Sequence, residues 1–402
     1  MKKLLVVSIL SAVAVTTALA QTNVTVFEGA RVIVGDGRTI VNPTIVVQGD
    51  RITQVGAAST IKVPAGATRV SLTGKTVMPA IIDAHVHTST TEAELVADLQ
   101  RRARFGIGAA LSLGLDGTDA AFVQREKTVP TLARIFTAGR GITAPEKGRT
   151  EVPYWITTPD EGRKAVRELA AKRVDIIKIW VDDRDGKFPK LTPPLYTAII
   201  DQAHKDGQRV TAHIFSLEDA KGLLKAGVDS FAHGVRDRDV DDEFIALVKA
   251  RPNFVLIPNM PDRGVVQEYS WLSGQIPEAE LQKILAGNTD RPNAQKTWGI
   301  QGRNLAAMSK AGVKIVVGTD GNTPWAPHVE MSDMVAAGMS PSQVIVAATK
   351  NGAEFLRIPN TGTIESGKIA DFIVLDANPL DDITNTRKIN AVYLRGTVVP
   401  RQ

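Results

Sequence analysis

The sequence predicts an α/β fold, a (β/α)8 TIM barrel carrying a small β-sandwich module built from both chain ends, and three observations predict it. Apolar runs of strand length recur eight times between residues 77 and 320. Helix-like segments separate most of them, with glycine near several helix ends. The flanks instead show short alternating runs joined by tight turns, a texture shared by residues 21–76 and 362–402. A chain of 402 residues exceeds one average domain and suits a large barrel with a smaller attachment.

Residues 1–20, MKKLLVVSILSAVAVTTALA, combine two lysines, an apolar centre and a small-residue end. That is the anatomy of a cleaved secretory signal, and the apolar part is short for a retained anchor. The mature protein is therefore expected to be periplasmic or secreted, with no membrane contact after cleavage. The chain has no cysteine, so an oxidising compartment poses no disulfide problem and lipidation of a cysteine after the signal is excluded. Of the formal net charge of +5, Lys2 and Lys3 leave with the signal. The remaining basic residues mix with acidic ones, as in ELQKILAGNTDRPNAQK, which argues for a solvated surface and against a nucleic-acid partner.

Residues 21–76 read as short strands: VTVFEGARVIVGDG, TIVVQGDRITQVG and TRVSLTG, with a hairpin-compatible Gly49-Asp50 between two alternating runs. The C-terminal GTIESGKIADFIVLD and NAVYLRGTVVPRQ match them. One composite module over 21–76 and 362–402 follows, since neither piece could bury its own face. The barrel takes residues 77–361.

Its first strand lies in VMPAIIDAHVHTS (77–89), and the others at 107–114, 133–139, 174–181, 209–215, 229–235, 253–260 and 313–320. Strands alternating with helices indicate a parallel sheet, and eight units a closed barrel. The stretch from Pro261 to Val313 interrupts the rhythm, and its SGQIPEAELQKIL predicts an extra helix in an insertion.

Reactive groups in such barrels collect at the C-terminal strand ends. His85 and His87 share a face at the end of strand 1, because strand side chains alternate. Lys178 lies late in strand 4, His213 in strand 5, His233 in strand 6, and Asp320 closes strand 8. Four of the chain's six histidines thus fall at one barrel rim, where unpaired polar groups would be costly without an ion to share. A satisfied core histidine remains the alternative for His213 or His233 taken singly. In IIKIW, burial disfavours the Lys178 ammonium. A neutral amine there can combine with carbon dioxide to give a carbamate able to bridge two metals, or the lysine can reach out to a substrate carboxylate or surface water.

The order His-x-His, Lys, His, His, Asp across a barrel resembles the amidohydrolase superfamily, specifically its binuclear members with a carboxylated strand-4 lysine. GKTVMPAIIDAHVH is similar to that family's first barrel segment. TGTIESGKIADFIVLDANPLDDI resembles its return to the β-module in the imidazolonepropionase-like and Xaa-Pro-dipeptidase-like branch. The resemblance implies that His85 and His87 bind one ion, His213 and His233 a second, and carboxylated Lys178 bridges them. Asp320 would ligate the first ion and act as general base and acid. Two divalent ions, zinc by this reading although manganese also suits such ligands, would lower the pKa of a shared water. The expected activity is hydrolysis of an amide or peptide-like C–N bond of a small molecule by metal-activated hydroxide. Alternatives are a lactone or cyclic-amide hydrolase on the same site, a one-metal deaminase, or a noncatalytic metal-binding or solute-binding protein. A homo-oligomer stays open.

Two departures from the family stand out. Ala80 replaces a frequent glycine, implying a more crowded turn, and APEKGRTEVPYW lacks a glycine-histidine element that some relatives carry. Further candidates have two readings each. Asp83 orients a ligand histidine or makes an ordinary polar contact. Tyr154, Trp155, Arg236 and Asp237 follow strands 3 and 6 and contact substrate or pack the surface. His328, in GNTPWAPH, contacts substrate or holds its loop. His204 reads as a helix-end residue, and Gly139 to Gly141 lack the ending of a phosphate loop.

Overall fold

The computed structural model describes residues 24–401, so the predicted signal segment, residues 1–20, lies outside the described residues. Eight barrel strands run in the expected order: β1 (Ile81–Val86), β2 (Ile107–Ser112), β3 (Arg134–Thr137), β4 (Ile177–Val181), β5 (Val210–Ile214), β6 (Ser230–Ala232), β7 (Val255–Ile257) and β8 (Lys314–Ile315). Parallel pairing joins β1 to β2 to β3, and β4 through β8 in sequence. Backbone contacts beyond the regular ladders close the ring. Asp175 donates to Thr137 O on β3, and Ala84 on β1 donates to Val317 O after β8.

The α/β barrel is thus the one the alternating pattern predicts. Strands β6 and β7 are shorter than their apolar runs for a local reason, and the run containing β8 ends in the same way at Asp320. The chain takes positive φ at His233 (120°), Asn259 (44°) and Asp320 (55°), and a ladder cannot continue through that conformation. Non-glycine residues adopt such backbone only where surrounding contacts enforce it, and these three turn their side chains out at one rim.

The intervening helices follow from their ends. In α1 (Glu92–Arg104), the Thr91 side chain accepts from Glu94 N, acids occupy the first turn and Arg101, Arg102 and Arg104 the last, matching the helix dipole. A later helix, Pro159–Ala171, opens on a Thr158/Glu161 capping box with proline in its first turn. Leu217–Ala226 stops at Gly227, whose φ of 98° suits glycine. The insertion contains a 3-10 turn at Ser270–Leu272 and the predicted extra helix at Glu278–Gly287, ahead of the long helix Pro292–Lys310. Two short strands, Ile142–Thr143 and Tyr154–Trp155, extend the sheet beside β4 within a stretch that the pattern left as loop.

The remaining strands form two further sheets. Val24–Glu28, Pro43–Gln48, Arg51–Ala57 and Thr68–Ser71 make one, with the Gly49-Asp50 turn joining its hairpin. In the other, Phe372–Leu375 from the C-terminal side pairs antiparallel with Thr76–Pro79, which leads into β1. Phe27, Ile45, Val77 and Phe372 share one buried cluster between the sheets. Burying such side chains contributes roughly 1.5–3 kcal/mol each. Ala80, the crowded position, is buried, and its Cβ would lie 2.9 Å from any Cβ added at Gly108. Gly108 on β2 therefore absorbs the methyl group.

Candidate active site

The positive-φ rim gathers the six predicted ligands. His85 and His87 approach the same carboxylate oxygen, their Nε2 atoms lying 3.0 and 2.9 Å from Asp320 Oδ1. Asp320 N and Thr319 N both donate to His85 O, which pins the end of β8 against β1. His233 stands between the two halves, its ring centroid 5.4 Å from that of His85 and 4.4 Å from that of His213. Lys178 is fully buried, with Nζ 5.2 Å from the Trp180 ring.

Burial sets the electrostatics. It lowers His85 to about 4 and His213 to about 3, and holds His233 well below its ordinary value, so all three rings are neutral near pH 7. Burial also brings Lys178 down to about 7, against the pull of Asp320, leaving a substantial neutral amine fraction. Burial pushes the Asp320 carboxyl up, but the imidazoles around it, His85 and His233 first, and the hydrogen bond with His87 hold it far below the usual carboxylate range. Asp320 is ionised.

These donors fit a divalent cation. Asn259 Oδ1, just past β7, accepts from His85 Nδ1 at 2.9 Å, which leaves the lone pair of His85 on Nε2. That lone pair faces an ionised oxygen of Asp320 at 3.0 Å with no hydrogen bond formed, and two acceptors so placed repel unless a cation sits between them. Ligand atoms of His85, His233 and Asp320 all lie within 4.8 Å of one another. His85 Nε2, His233 Nε2 and Lys178 Nζ are buried atoms without a hydrogen-bond partner. The Nε2 of His213 lies between the Asp182 carboxylate at 3.0 Å and the Arg184 guanidinium at 2.9 Å.

A cavity of about 360 Å³ opens onto this cluster. His87, His213 and Asp320 form its floor, with Trp180, Arg184, Glu146 and Arg149 among its walls. Glu146 is buried and paired with Arg149 at 2.6 Å, so the APEKG loop supplies one wall of the cavity.

Several candidates lie elsewhere. His328 is fully buried, with Nε2 2.9 Å from Phe105 O and Nδ1 3.1 Å from Thr386 Oγ1. Both nitrogens are used in tying its helix to neighbouring segments, which replaces the substrate-contact reading with a structural one. Tyr154 and Trp155 do not line the cavity. The Tyr154 ring lies under the Arg140 guanidinium at 4.1 Å, and both residues pair with Ile142–Thr143 as a strand. Asp83 accepts from Thr319 Oγ1 at 2.8 Å, from Thr319 N and from His85 N, and faces Arg102 at 3.4 Å. It braces the backbones that carry His85 and Asp320 and does not touch an imidazole. Asp237 accepts from Leu217 N at a helix start, and His204 pairs with Asp229 away from the rim. Arg236 contacts His233 directly, with Nη2 2.8 Å from Nδ1.

Asn259, Asp182, Arg184, Glu146 and Gln301 did not stand out in the sequence. Asp182 and Arg184 had a signal, because DDRDG directly follows the Lys178 strand. Asn259 had a weaker one, as the polar residue ending NFVLIPNM. Gln301, inside a helix, had none.

A parallel barrel with imidazoles, a buried lysine and an ionised carboxylate converging at its strand ends defines a hydrolase class, that of barrel enzymes acting on C–N bonds. The chain belongs to the amidohydrolase family, whose sequence profile matches residues 76–399. It is 28% identical over 345 residues to an uncharacterized protein of Mycobacterium tuberculosis, covering 80% of this chain and 85% of the relative. It is 27% identical to ochratoxinase of Aspergillus niger over 274 residues, covering 63% and 52% respectively. Among solved structures, a candidate prolidase from Bifidobacterium longum superposes with a TM-score of 0.79 at 29% identity, covering 94% of this chain and 95% of the other.

Proposed function

We propose that this chain is an exported, metal-dependent amidohydrolase that cleaves an amide or peptide-like bond of a small molecule. The observation that carries the metal dependence is the His85 lone pair set against ionised Asp320 at 3.0 Å. His85, His87 and Asp320 would hold one ion, and His213, His233 and carboxylated Lys178 a second, with zinc the metal that suits imidazole-rich sets. Such ions polarise a carbonyl and lower the pKa of water.

The chain's own residues do the rest. Lys178, neutral in part near pH 7, attacks carbon dioxide through its amine nitrogen and loses a proton, giving the carbamate anion. Asp320 takes the proton of the attacking water and returns it to the leaving nitrogen, so the amine departs neutral. Trp180 and the Glu146 loop line the cavity beside the reacting groups. The names of the ochratoxinase and the candidate prolidase support a hydrolase of small substrates, and the leader-like residues 1–20 support export.

The test is a panel of dipeptides and N-acyl amino acids against lactones, run with chelator-stripped and zinc-reloaded protein. Turnover of the amides, lost on stripping and restored on reloading, is the expected result. Hydrolysis of lactones alone would overturn the bond assignment, and full activity after stripping would overturn the metal.

A further inference from the structure

The donors of the two half-sites are not equivalent, and the difference lies in hydrogen-bond direction. His85 donates from Nδ1 to Asn259, which leaves its Nε2 free for a ligand, and His213 Nε2 has the Asp182 carboxylate at 3.0 Å as an available acceptor beside the Arg184 guanidinium at 2.9 Å. His233 is the reverse. Its Nδ1 lies 2.8 Å from Arg236 Nη2, and a guanidinium offers only N–H groups. Nδ1 must therefore accept, and the proton of the neutral ring sits on Nε2. That atom points toward Asp320 Oδ2 at 3.4 Å, into the cluster. For Nε2 to ligate an ion, the proton must move to Nδ1, where Arg236 would meet it donor to donor.

Arg236 is not free to step aside. Its Nε donates to Gln301 Oε1 at 2.6 Å and its Nη2 also donates to Asn259 O at 2.9 Å. Gln301 is fixed in turn through Nε2 to Pro258 O at 2.6 Å, and Gly234 gives it room, since a Cβ there would lie 2.9 Å from Gln301 Cγ. The clamp joins the ends of β6 and β7 to the helix Pro292–Lys310.

We propose that Arg236 makes the centre asymmetric. The ion held by His85, His87 and Asp320 binds tightly, and the ion held by Lys178, His213 and His233 binds weakly, because Arg236 must break its hydrogen bonds before His233 can present a lone pair. The inference rests on the metal-dependent reading above. Arg236 is a positioning residue in it and touches no reacting atom.

The experiment is a metal titration of the full mature chain, stripped with chelator and reloaded with Co²⁺ or Zn²⁺. Bound ions are counted after dialysis by mass spectrometry, and affinities are set by competition with a chromophoric chelator. Wild type is expected to retain one ion per chain and to take a second with at least about tenfold weaker affinity, the lower end of what outer contacts to a ligand histidine contribute. Arg236→Gln supplies an amide oxygen that can accept from Nδ1, so its second ion should tighten about tenfold or more. Arg236→Lys, still only a donor, should keep the gap. Should Arg236→Gln lose its native circular dichroism, Arg236→Met, which removes the donor, carries the same expectation of a narrowed gap. Two ions of equal affinity in wild type, or an unchanged gap in the folded variant, would overturn the proposal and leave the metal reading standing. A chain that retains no ion would overturn both.

Discussion

Asn259 Oδ1 lies 2.9 Å from His85 Nδ1 across the barrel, and this one contact decides which nitrogen of the buried histidine faces Asp320. Replacing Asn259 with alanine removes the acceptor and places a methyl side chain at φ 44°, whereas Asn259→Asp keeps an acceptor. Metal affinity of the alanine variant is expected to fall about 10- to 100-fold and that of the aspartate variant much less. Chelator competition measures this, and equal affinity in all three proteins would refute the role given to Asn259.

Lys178 is buried with no hydrogen-bond partner, a placement that costs stability in the absence of an ion. Lys178→Met keeps the length and drops the polar atom. Metal-free Lys178→Met should be more stable than metal-free wild type by about 1–3 kcal/mol and inactive after zinc reloading. The carbamate ¹³C signal expected from loaded wild type given ¹³C-bicarbonate should be missing. Denaturant melts and the spectrum check both, and an active variant would contradict the metal-holding role given to Lys178.

Asp83 and Arg102 are both fully buried, facing each other at 3.4 Å beneath the His85 and Thr319 backbones. Arg102→Met strands the carboxylate and should cost about 3–5 kcal/mol, because the remaining charge is uncompensated. The double variant with Asp83→Asn should recover most of that loss. A double variant no more stable than the single one in urea melts would show that the pair does not act as a unit.

Burial raises Asp333 to about 7, against the pull of Arg263 at 3.0 Å. An acid whose folded pKa lies above its unfolded value binds more protons when folded, so its contribution falls as pH rises from about 4 toward 7 and is lost beyond that. Asp333→Asn removes this dependence. The stability difference, variant minus wild type, should therefore grow between pH 4 and 7 by an amount on the order of a few kcal/mol and level off above. Thermal melts across that range test it, and a difference independent of pH would exclude the shift.

Gly108→Ala would set two methyl groups 2.9 Å apart, one of them on Ala80. A loss of about 1–3 kcal/mol is expected, with recovery in the Ala80→Gly, Gly108→Ala double variant. Failure of the second change to restore the melting temperature would place the strain elsewhere.

The barrel and its rim are legible in the sequence because their signals are local. Alternation of apolar runs with helical segments names the strands, a two-residue period puts His85 and His87 on one face, and a polar residue closing an apolar run marks a strand end. His328 misled for the same reason: it follows Asp320 by eight positions in sequence, yet its helix turns it inward onto Phe105 O. Tyr154 and Trp155 follow strand 3, but they are consumed in an added strand against Ile142–Thr143. The Glu146 wall had no periodic signal, since it belongs to an irregular loop.

By itself, then, the sequence determined the fold, the place of the site within it, and the residue types that crowd there, since each depends on neighbours a few positions away. The tertiary structure decided what those residues present to one another. Asn259 meets His85 and Arg236 meets His233 only because barrel closure and the positive-φ turns after β6, β7 and β8 bring distant strand ends together. Hydrogen-bond direction, and with it the free lone pair of each imidazole, is a property of such pairs, and no single stretch of chain contains it.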